Sequence, residues 1–527
     1  MVCIAVLFPQ VRHFILDFGE QLKHKKLLGY HDWFKALLSH AMGGICLILF
    51  IDYCTLTESG RVFVRDVKQE ITDCLLKIDF RSLCKPILLI FGIYLFGVLT
   101  IIRANFLYND DIVRTISGER DWFGMNRYVS EYLSILIHAD TRITDISPLP
   151  QLLAVLILSV SSVLLVYVLG DRKITVVRLL ASIPLGLSPY FLECFSYKYD
   201  SPYMALSVLA SIFPFLFVDY KKAFVLCSTI SLLIMCMTYQ ATSGVYLLIV
   251  IMLCFQRWNY RQKTNKELLS FAKITLGAYG LAMIIFKLFL MRDVEDYVSG
   301  SMFPFLELIP GVVMNIKTYL YWINSDFAVI WKICIVLVLI FFIIKSISTS
   351  AQKKMISLAV SLVFISLSLF LSYGMYCMLQ RPSFSARALL GFGAWLAILC
   401  IYVVSNYKKT AILAVFAFNW SLLVFAFSYG NAAADQLRYT NFRIGLILHD
   451  LSALYPESPR VEKALQFANS IDTTPSIRNI AKHYPVIERL ISRRYGQSFW
   501  FDYYSVEYFN YGPREILNIF SPVDYSD

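Results

Sequence analysis

Asp110 and Asp111 stand in the stretch RANFLYNDDIVRTISGERDWFGMNRYVSE, residues 103–131, directly after an apolar run at 86–102. Arg114, Gly118, Asp121, Trp122, Gly124 and Arg127 follow within the same segment. Carboxylates, guanidinia and an indole at the mouth of a membrane helix are costly to keep there without a use. A carboxylate can take the proton from an attacking hydroxyl. A guanidinium offers a planar fork of donors that fits a phosphate. The combination predicts proton abstraction and phosphate binding at a membrane surface. Adjacent side chains diverge on a helix or strand, so only one of the two carboxylates is expected to be the base. Asp111 is favoured, because Arg114 lies one helical turn on and would orient it. Asp110 would then cap the helix or brace the loop. The competing reading is a capping or solvated role for both.

A second polar group lies in SPYFLECFSYKYDSP, residues 188–202, between two apolar runs. Its Glu193, Tyr197, Lys198 and Asp200 can line a cavity, and the short turn TYQAT at 238–242 adds Gln240. Arg381 and Arg387 fall in a later turn. At least one of Lys198, Arg114, Arg127, Arg381 and Arg387 is expected to hold a phosphate at headgroup level. Ordinary snorkelling and an interfacial tyrosine belt are the alternatives.

The elements that must position these residues are membrane helices. Of 527 residues, 58% are hydrophobic and only 16% charged, against about 25% charged in soluble domains. The net charge of +11 sits mostly in short loops between apolar runs, so nucleic acid is not an expected partner. The twelve cysteines are scattered, without a CxxC pair or a histidine at ligand spacing. They read as small apolar residues rather than a disulfide framework or zinc site. No cleavable signal peptide is expected. Walker A, GxGxxG, HExxH and GxSxG patterns are missing, so the energy for any reaction is expected from an activated substrate.

Apolar runs at 86–102, 150–169, 203–218, 270–290, 328–345, 355–376, 388–404 and 410–428, with weaker ones at 178–192, 222–238 and 243–256, predict eleven spans. The run 36–54 is a twelfth candidate, or an interfacial or re-entrant helix. Alternate loops carry Arg172, Lys173 and Arg178; Lys221 and Lys222; Arg257, Arg261, Lys263 and Lys266; Lys345, Lys353 and Lys354; and Lys408 and Lys409. These loops are expected in the cytoplasm. The intervening segments, including the large loop 103–149 and the tail, are then expected outside. The segment 301–325 reads as an amphipathic helix on the outer surface, suited to guiding a lipid substrate, or equally as a weak extra span that would break the charge alternation. The expected fold is an all-α polytopic membrane protein of about 11–12 transmembrane helices. An extension at 1–85, basic over 55–85, precedes the membrane domain 86–428, and a small external domain follows at 429–527. That tail ends in FWFDYYSVEYFNY, 499–511. Its aromatic residues, Trp500 among them, are expected to pack the tail or to stack on a glycan.

The order NDDxxR, SGxxDWxGMxR and LSPYFLECFSYKYDSP relative to the spans resembles the serotype-converting O-antigen glucosyltransferases of bacteria and their temperate phages. The resemblance covers roughly 80–440 and the start of the tail. It implies a glycosyltransferase C-like fold in the bacterial inner membrane with its active site facing the periplasm. It implies an undecaprenyl-phosphate-linked sugar as donor, lipid-linked O-antigen as acceptor, and membrane lipids as surroundings. Carried across, Asp110 and Asp111 are the acidic pair, Arg114, Trp122 and Arg127 complete the first motif, and Glu193, Tyr197, Lys198 and Asp200 form the second. No cofactor is expected; a divalent metal is optional. The extension of about 80 residues departs from the family pattern. An O-antigen polymerase or lipid-glycan flippase is the rival reading, and a secondary transporter a weaker one, since no paired halves are visible.

Overall fold

The computed structural model describes residues 51–291, 299–405, 408–454 and 472–491. Most of 36–54, and all of 499–511 with Trp500, lie outside the described residues. The chain divides into two compact units. Of the described residues, the smaller holds 51–66 with 284–291, and the larger holds 67–283 and those from 299 onward. Every candidate site residue belongs to the larger unit.

Among the described residues the protein is an all-α polytopic membrane protein, with one antiparallel ribbon pairing Ser299–Met302 with Leu379–Arg381. Eight helices are long and apolar enough to cross a membrane. They are Phe80–Ala104, Leu149–Leu169, Gln240–Asn259, Asn265–Leu290, Val329–Ser348, Lys354–Leu371, Ala386–Val404 and Lys409–Leu446. A ninth crossing is available where Val176–Leu187 and Pro189–Ser196 meet at 59°. The bend follows from the sequence. Ser188 is extended and caps the second helix through Phe191 N, and Pro189 cannot donate a continuing helical bond.

The expected spans 203–218 and 222–238 are helical but shorter than that standard. Ser201–Ile212 tightens into a 3-10 turn at Phe213–Phe217, which contains Pro214, and Lys221–Cys236 has only 16 residues. A 12-residue helix extends about 18 Å, well short of a hydrocarbon core of about 30 Å. The Ser201–Ile212 helix is buried by protein on nearly every face, so it does not have to match the bilayer alone.

The last span also differs from expectation. The sequence reading ends it at 428 and begins a separate domain at 429. The helix instead runs unbroken over Lys409–Leu454. Its 46 residues extend about 69 Å, so its far half carries the chain well beyond the membrane. Along the near half it packs closely on Phe80–Ala104. A Cβ at Gly430 would lie 2.4 Å from Thr100 Oγ1, and small residues permit such close helix contacts.

The helix Leu308–Asp326 is not among the candidate spans. Gly311, Asn315, Tyr319 and Asp326 are buried, while Ile309, Val313, Leu320 and Tyr321 are exposed. The exposed stripe is therefore the apolar one, the reverse of a helix on a water-soluble protein. Asn315 Nδ2 fixes the inner face by donating to the Cys377 and Leu379 carbonyls, at 3.0 and 2.8 Å.

The charge alternation makes a testable prediction. Single cysteines placed at Arg261 and Lys353, in a background lacking reactive native thiols, should resist an impermeant thiol reagent added to intact cells with a permeabilised outer membrane. A cysteine at Arg438, whose side chain is exposed, should be labelled. Labelling of all three, or of the first two alone, would overturn the orientation.

Candidate functional site

The acidic pair opens the short helix Asp110–Ser117. Two acidic residues in the first turn suit the positive end of the helix dipole. Gly118 ends the helix with φ 68°, its N–H donating to the Arg114 carbonyl, in the left-handed conformation that glycine adopts without a Cβ penalty. The helix places Asp110 and Asp111 in unlike surroundings. Asp111 is fully buried. Its carboxyl accepts from the backbone N–H groups of Tyr108 at 3.3 Å, Lys198 at 2.9 Å and Tyr199 at 3.5 Å. It thus ties the first long loop to the 197–200 turn. Burial pushes this carboxyl up to about 8, with the Lys198 N–H bond opposing.

Arg114 does not hold Asp111, contrary to expectation. It pairs with Asp200 and lies over the Trp122 ring, 4.4 Å from its centroid. The Trp122 indole N–H also donates to Asp200, and Arg127 stands 3.9 Å from the same carboxylate. Asp200 is the hub because it begins the helix Ser201–Ile212, facing the loop that carries the other three. Burial raises its carboxyl, but Arg114 and Arg127 outweigh that effect and hold it below the usual range. The Trp122 ring is fully buried against Tyr199, Tyr203 and Ile143. Arg127 also lies over Tyr239, 5.0 Å away.

Lys198 is likewise turned inward. It is 3% exposed, and its Nζ donates to Asn105 Oδ1 at 2.7 Å and Asp145 Oδ2 at 2.9 Å. Glu193, also buried, accepts from the backbone N–H of Arg387 and lies 3.1 Å from the Tyr108 hydroxyl. Gln240 Nε2 donates to the Met125 carbonyl at 3.4 Å, fastening its turn to the first loop. Arg381 is exposed on the ribbon, and among the described residues no hydrogen bond or ion pair joins it to the other candidates.

What remains accessible is small. The Asp110 side chain is 33% exposed and faces the Arg387 guanidinium across 4.0 Å. Arg387 covers the Tyr197 ring at 4.2 Å, and the Tyr197 hydroxyl accepts from Asn109 Nδ2 at 2.9 Å. The structure therefore divides the candidates into an inner set, Asp111, Asp200, Arg114, Trp122, Lys198 and Glu193, and an outer pair in which Asp110 is one-third exposed while the Arg387 side chain, 10% exposed, is as enclosed as that of Arg127 at 11%. The inner set locks the segments together. The outer pair presents a carboxylate and a guanidinium side by side, able to take a proton and to bind an anion.

Residues 99–398 match the family model described as Glucosyl transferase GtrII. The chain belongs to that family. The matched region contains both polar motifs, Gln240, Arg381 and Arg387, so this GtrII glucosyltransferase carries them within its family domain. It is 25% identical over 422 residues to an "Uncharacterized 55.3 kDa protein in gtrB 5'region" of Salmonella phage P22, covering 76% of this chain and 84% of that protein. No solved structure matches the chain.

The sequence reading passed over Tyr108, Asn105 and Asp145 as site residues. Tyr108 stands two residues before Asp110 in the quoted motif, which was a usable signal. Asn105 and Asp145 are ordinary loop residues in sequence, and only the fold brings them to Lys198.

Proposed function

We propose that this GtrII glucosyltransferase moves a glucosyl residue from undecaprenyl phosphate to lipid-linked O-antigen at the periplasmic face of the bacterial inner membrane. The observation that carries the reading is the Asp110–Arg387 pair, at the edge of an otherwise closed polar cluster. The acceptor hydroxyl oxygen attacks the anomeric carbon, and the bond from that carbon to the phosphate oxygen breaks. Asp110 takes the hydroxyl proton, and undecaprenyl phosphate departs with the bonding electrons. Attack opposite the leaving group inverts the anomeric centre, as in glycosyl transfer with a single displacement. Arg387 binds the donor phosphate and stabilises the charge it gains as it leaves. Asp110 takes the role first expected of Asp111, because all three hydrogen bonds to Asp111 come from backbone and its burial leaves no approach for a hydroxyl.

The purified protein in proteoliposomes should transfer labelled glucose from a polyprenyl-phosphate donor to a lipid-linked glycan. It should leave a nucleotide-linked glucose untouched. Transfer from the nucleotide sugar, with none from the polyprenyl donor, would overturn the donor assignment.

A further inference from the structure

Arg489 lies in the short helix Ile487–Leu490 of the C-terminal segment, more than a hundred residues beyond the outer pair in sequence. Its guanidinium reaches two acceptors on different segments. One is Asp326 Oδ2, at the end of the helix Leu308–Asp326, and the other is the Phe384 carbonyl, three residues before Arg387. It also lies over the Trp322 ring at 4.1 Å. A planar fork suits this arrangement, whereas a lysine ammonium concentrates its charge at one point.

Both acceptors are themselves held. Asp326 is 2% exposed. Its Oδ2 accepts from the Tyr190 hydroxyl at 3.0 Å, and its backbone carbonyl accepts from Val486 N at 3.2 Å. Burial pushes the Asp326 carboxyl up to about 6, with Arg489 opposing. The loop that offers the Phe384 carbonyl is fixed by Tyr373, whose hydroxyl donates to the Ser383 carbonyl at 2.8 Å and whose ring stacks on Phe384 at 5.5 Å.

These contacts close a circuit around the outer pair. Arg387 N donates to Glu193. Glu193 meets the Tyr108 hydroxyl, which also lies 2.9 Å from the Leu490 carbonyl. Leu490 follows Arg489, and Arg489 returns through Phe384 to the loop that carries Arg387. Tyr108 stands two residues before Asp110, but Arg489 enters the circuit on the Arg387 side, through the Phe384 carbonyl.

We propose that Arg489 is a positioning residue: it fastens the C-terminal segment 484–491 to the 383–387 loop and thereby sets Arg387 against Asp110 in register for the donor phosphate. The proposal rests on the reading of Arg387 as the phosphate ligand. Arg489 itself touches neither substrate. Its effect is on donor affinity, through the placement of Arg387, and the acceptor side is left unchanged.

The test compares wild-type protein with Arg489→Gln, Arg489→Lys and Arg387→Gln in nanodiscs. Three quantities are read: KM for a polyprenyl-phosphate glucose, KM for the lipid-linked acceptor, and amide hydrogen exchange over 383–388 and 484–491. Arg489→Gln should exchange faster in both segments and raise donor KM by up to about tenfold, the ceiling being loss of the charge-assisted bond from Arg387 to the phosphate. Acceptor KM should not move. Arg489→Lys, which retains the charge and one contact, should fall between and serves if Arg489→Gln folds poorly. Arg387→Gln should raise donor KM at least as much without loosening 484–491. Unchanged exchange at 383–388 in both Arg489 variants overturns the brace, whatever Arg387 does. Faster exchange with unchanged donor KM overturns its link to donor binding. Normal donor KM in Arg387→Gln overturns the phosphate reading separately, because the exchange result does not depend on it.

Discussion

Asp110→Asn should fold, insert and bind donor, yet transfer glucose about 10²–10⁴-fold more slowly, the usual consequence of losing a general base. Asp111→Asn should retain most of its turnover. The difference follows from their surroundings. Asp110 is partly open and faces Arg387, whereas Asp111 is buried and accepts three backbone N–H bonds. An asparagine carbonyl can still accept from Lys198 N and Tyr108 N, which share one Asp111 oxygen. The two variants should also differ in pH response. The Asp111 carboxyl is raised from 3.8 to about 8, chiefly by burial. Between those values the folded protein binds more protons than the unfolded chain, so stability falls as pH rises through the window. This contribution is complete below 3.8 and is lost through about 8. Asp111→Asn removes it. Thermal unfolding of the detergent-solubilised variant should therefore lose less on going from mildly acidic to alkaline pH than wild type does. Asp110→Asn should follow wild type. If Asp111→Asn abolishes transfer while Asp110→Asn is nearly normal, the base is Asp111.

Asp200→Ala should fail to accumulate as folded protein. It would leave Arg114, with a side chain 6% exposed, buried without its partner, and it would strand the Trp122 indole N–H. Breaking one side of a buried pair costs about 3–5 kcal/mol, a large share of a typical total of about 5–15 kcal/mol. Replacing both members with apolar residues of similar volume, Arg114→Met with Asp200→Leu, should recover part of the yield, since the Arg114 charge is then gone, while Arg127 and the Trp122 indole N–H still lack Asp200. Membrane yield and thermal unfolding read the result. An Asp200→Ala protein with normal yield and melting but no transfer would move Asp200 from bracing to chemistry.

Much of this was legible in the sequence. Long apolar runs marked the spans, and the two polar motifs that the fold brings together stood out, because charge is costly at a membrane edge and contrasts with an apolar background. The placement of Asp111 was not legible. Its neighbours Lys198 and Tyr199 contribute backbone N–H groups, which residue identity does not reveal. The Arg114 partner was misread for a related reason. Helical spacing offered Asp111, three residues away, but the fold brings Asp200 across from another segment and offers a full ion pair. Lys198 and Arg114 looked like phosphate ligands by type, and residue type did not reveal that the fold pairs them with Asp145 and Asp200. The short Ser201–Phe217 helix was read as a full span because hydropathy cannot tell a protein-sheathed helix from a lipid-facing one. The continuous Lys409–Leu454 helix outlasts its apolar run, which ends at 428, so hydropathy marks where the apolar stretch stops and not where the helix does.

The most direct test of the account separates binding from chemistry at the outer pair. Donor affinity and single-turnover transfer should be measured on wild type, Asp110→Asn and Arg387→Gln, using the same polyprenyl-phosphate glucose in nanodiscs. The account predicts that Asp110→Asn binds donor as wild type does and fails in the transfer step. Arg387→Gln should bind donor weakly and also transfer slowly once saturated, because it loses a contact that strengthens as the phosphate leaves. Normal transfer by Asp110→Asn, or normal donor affinity and transfer by Arg387→Gln, would contradict it.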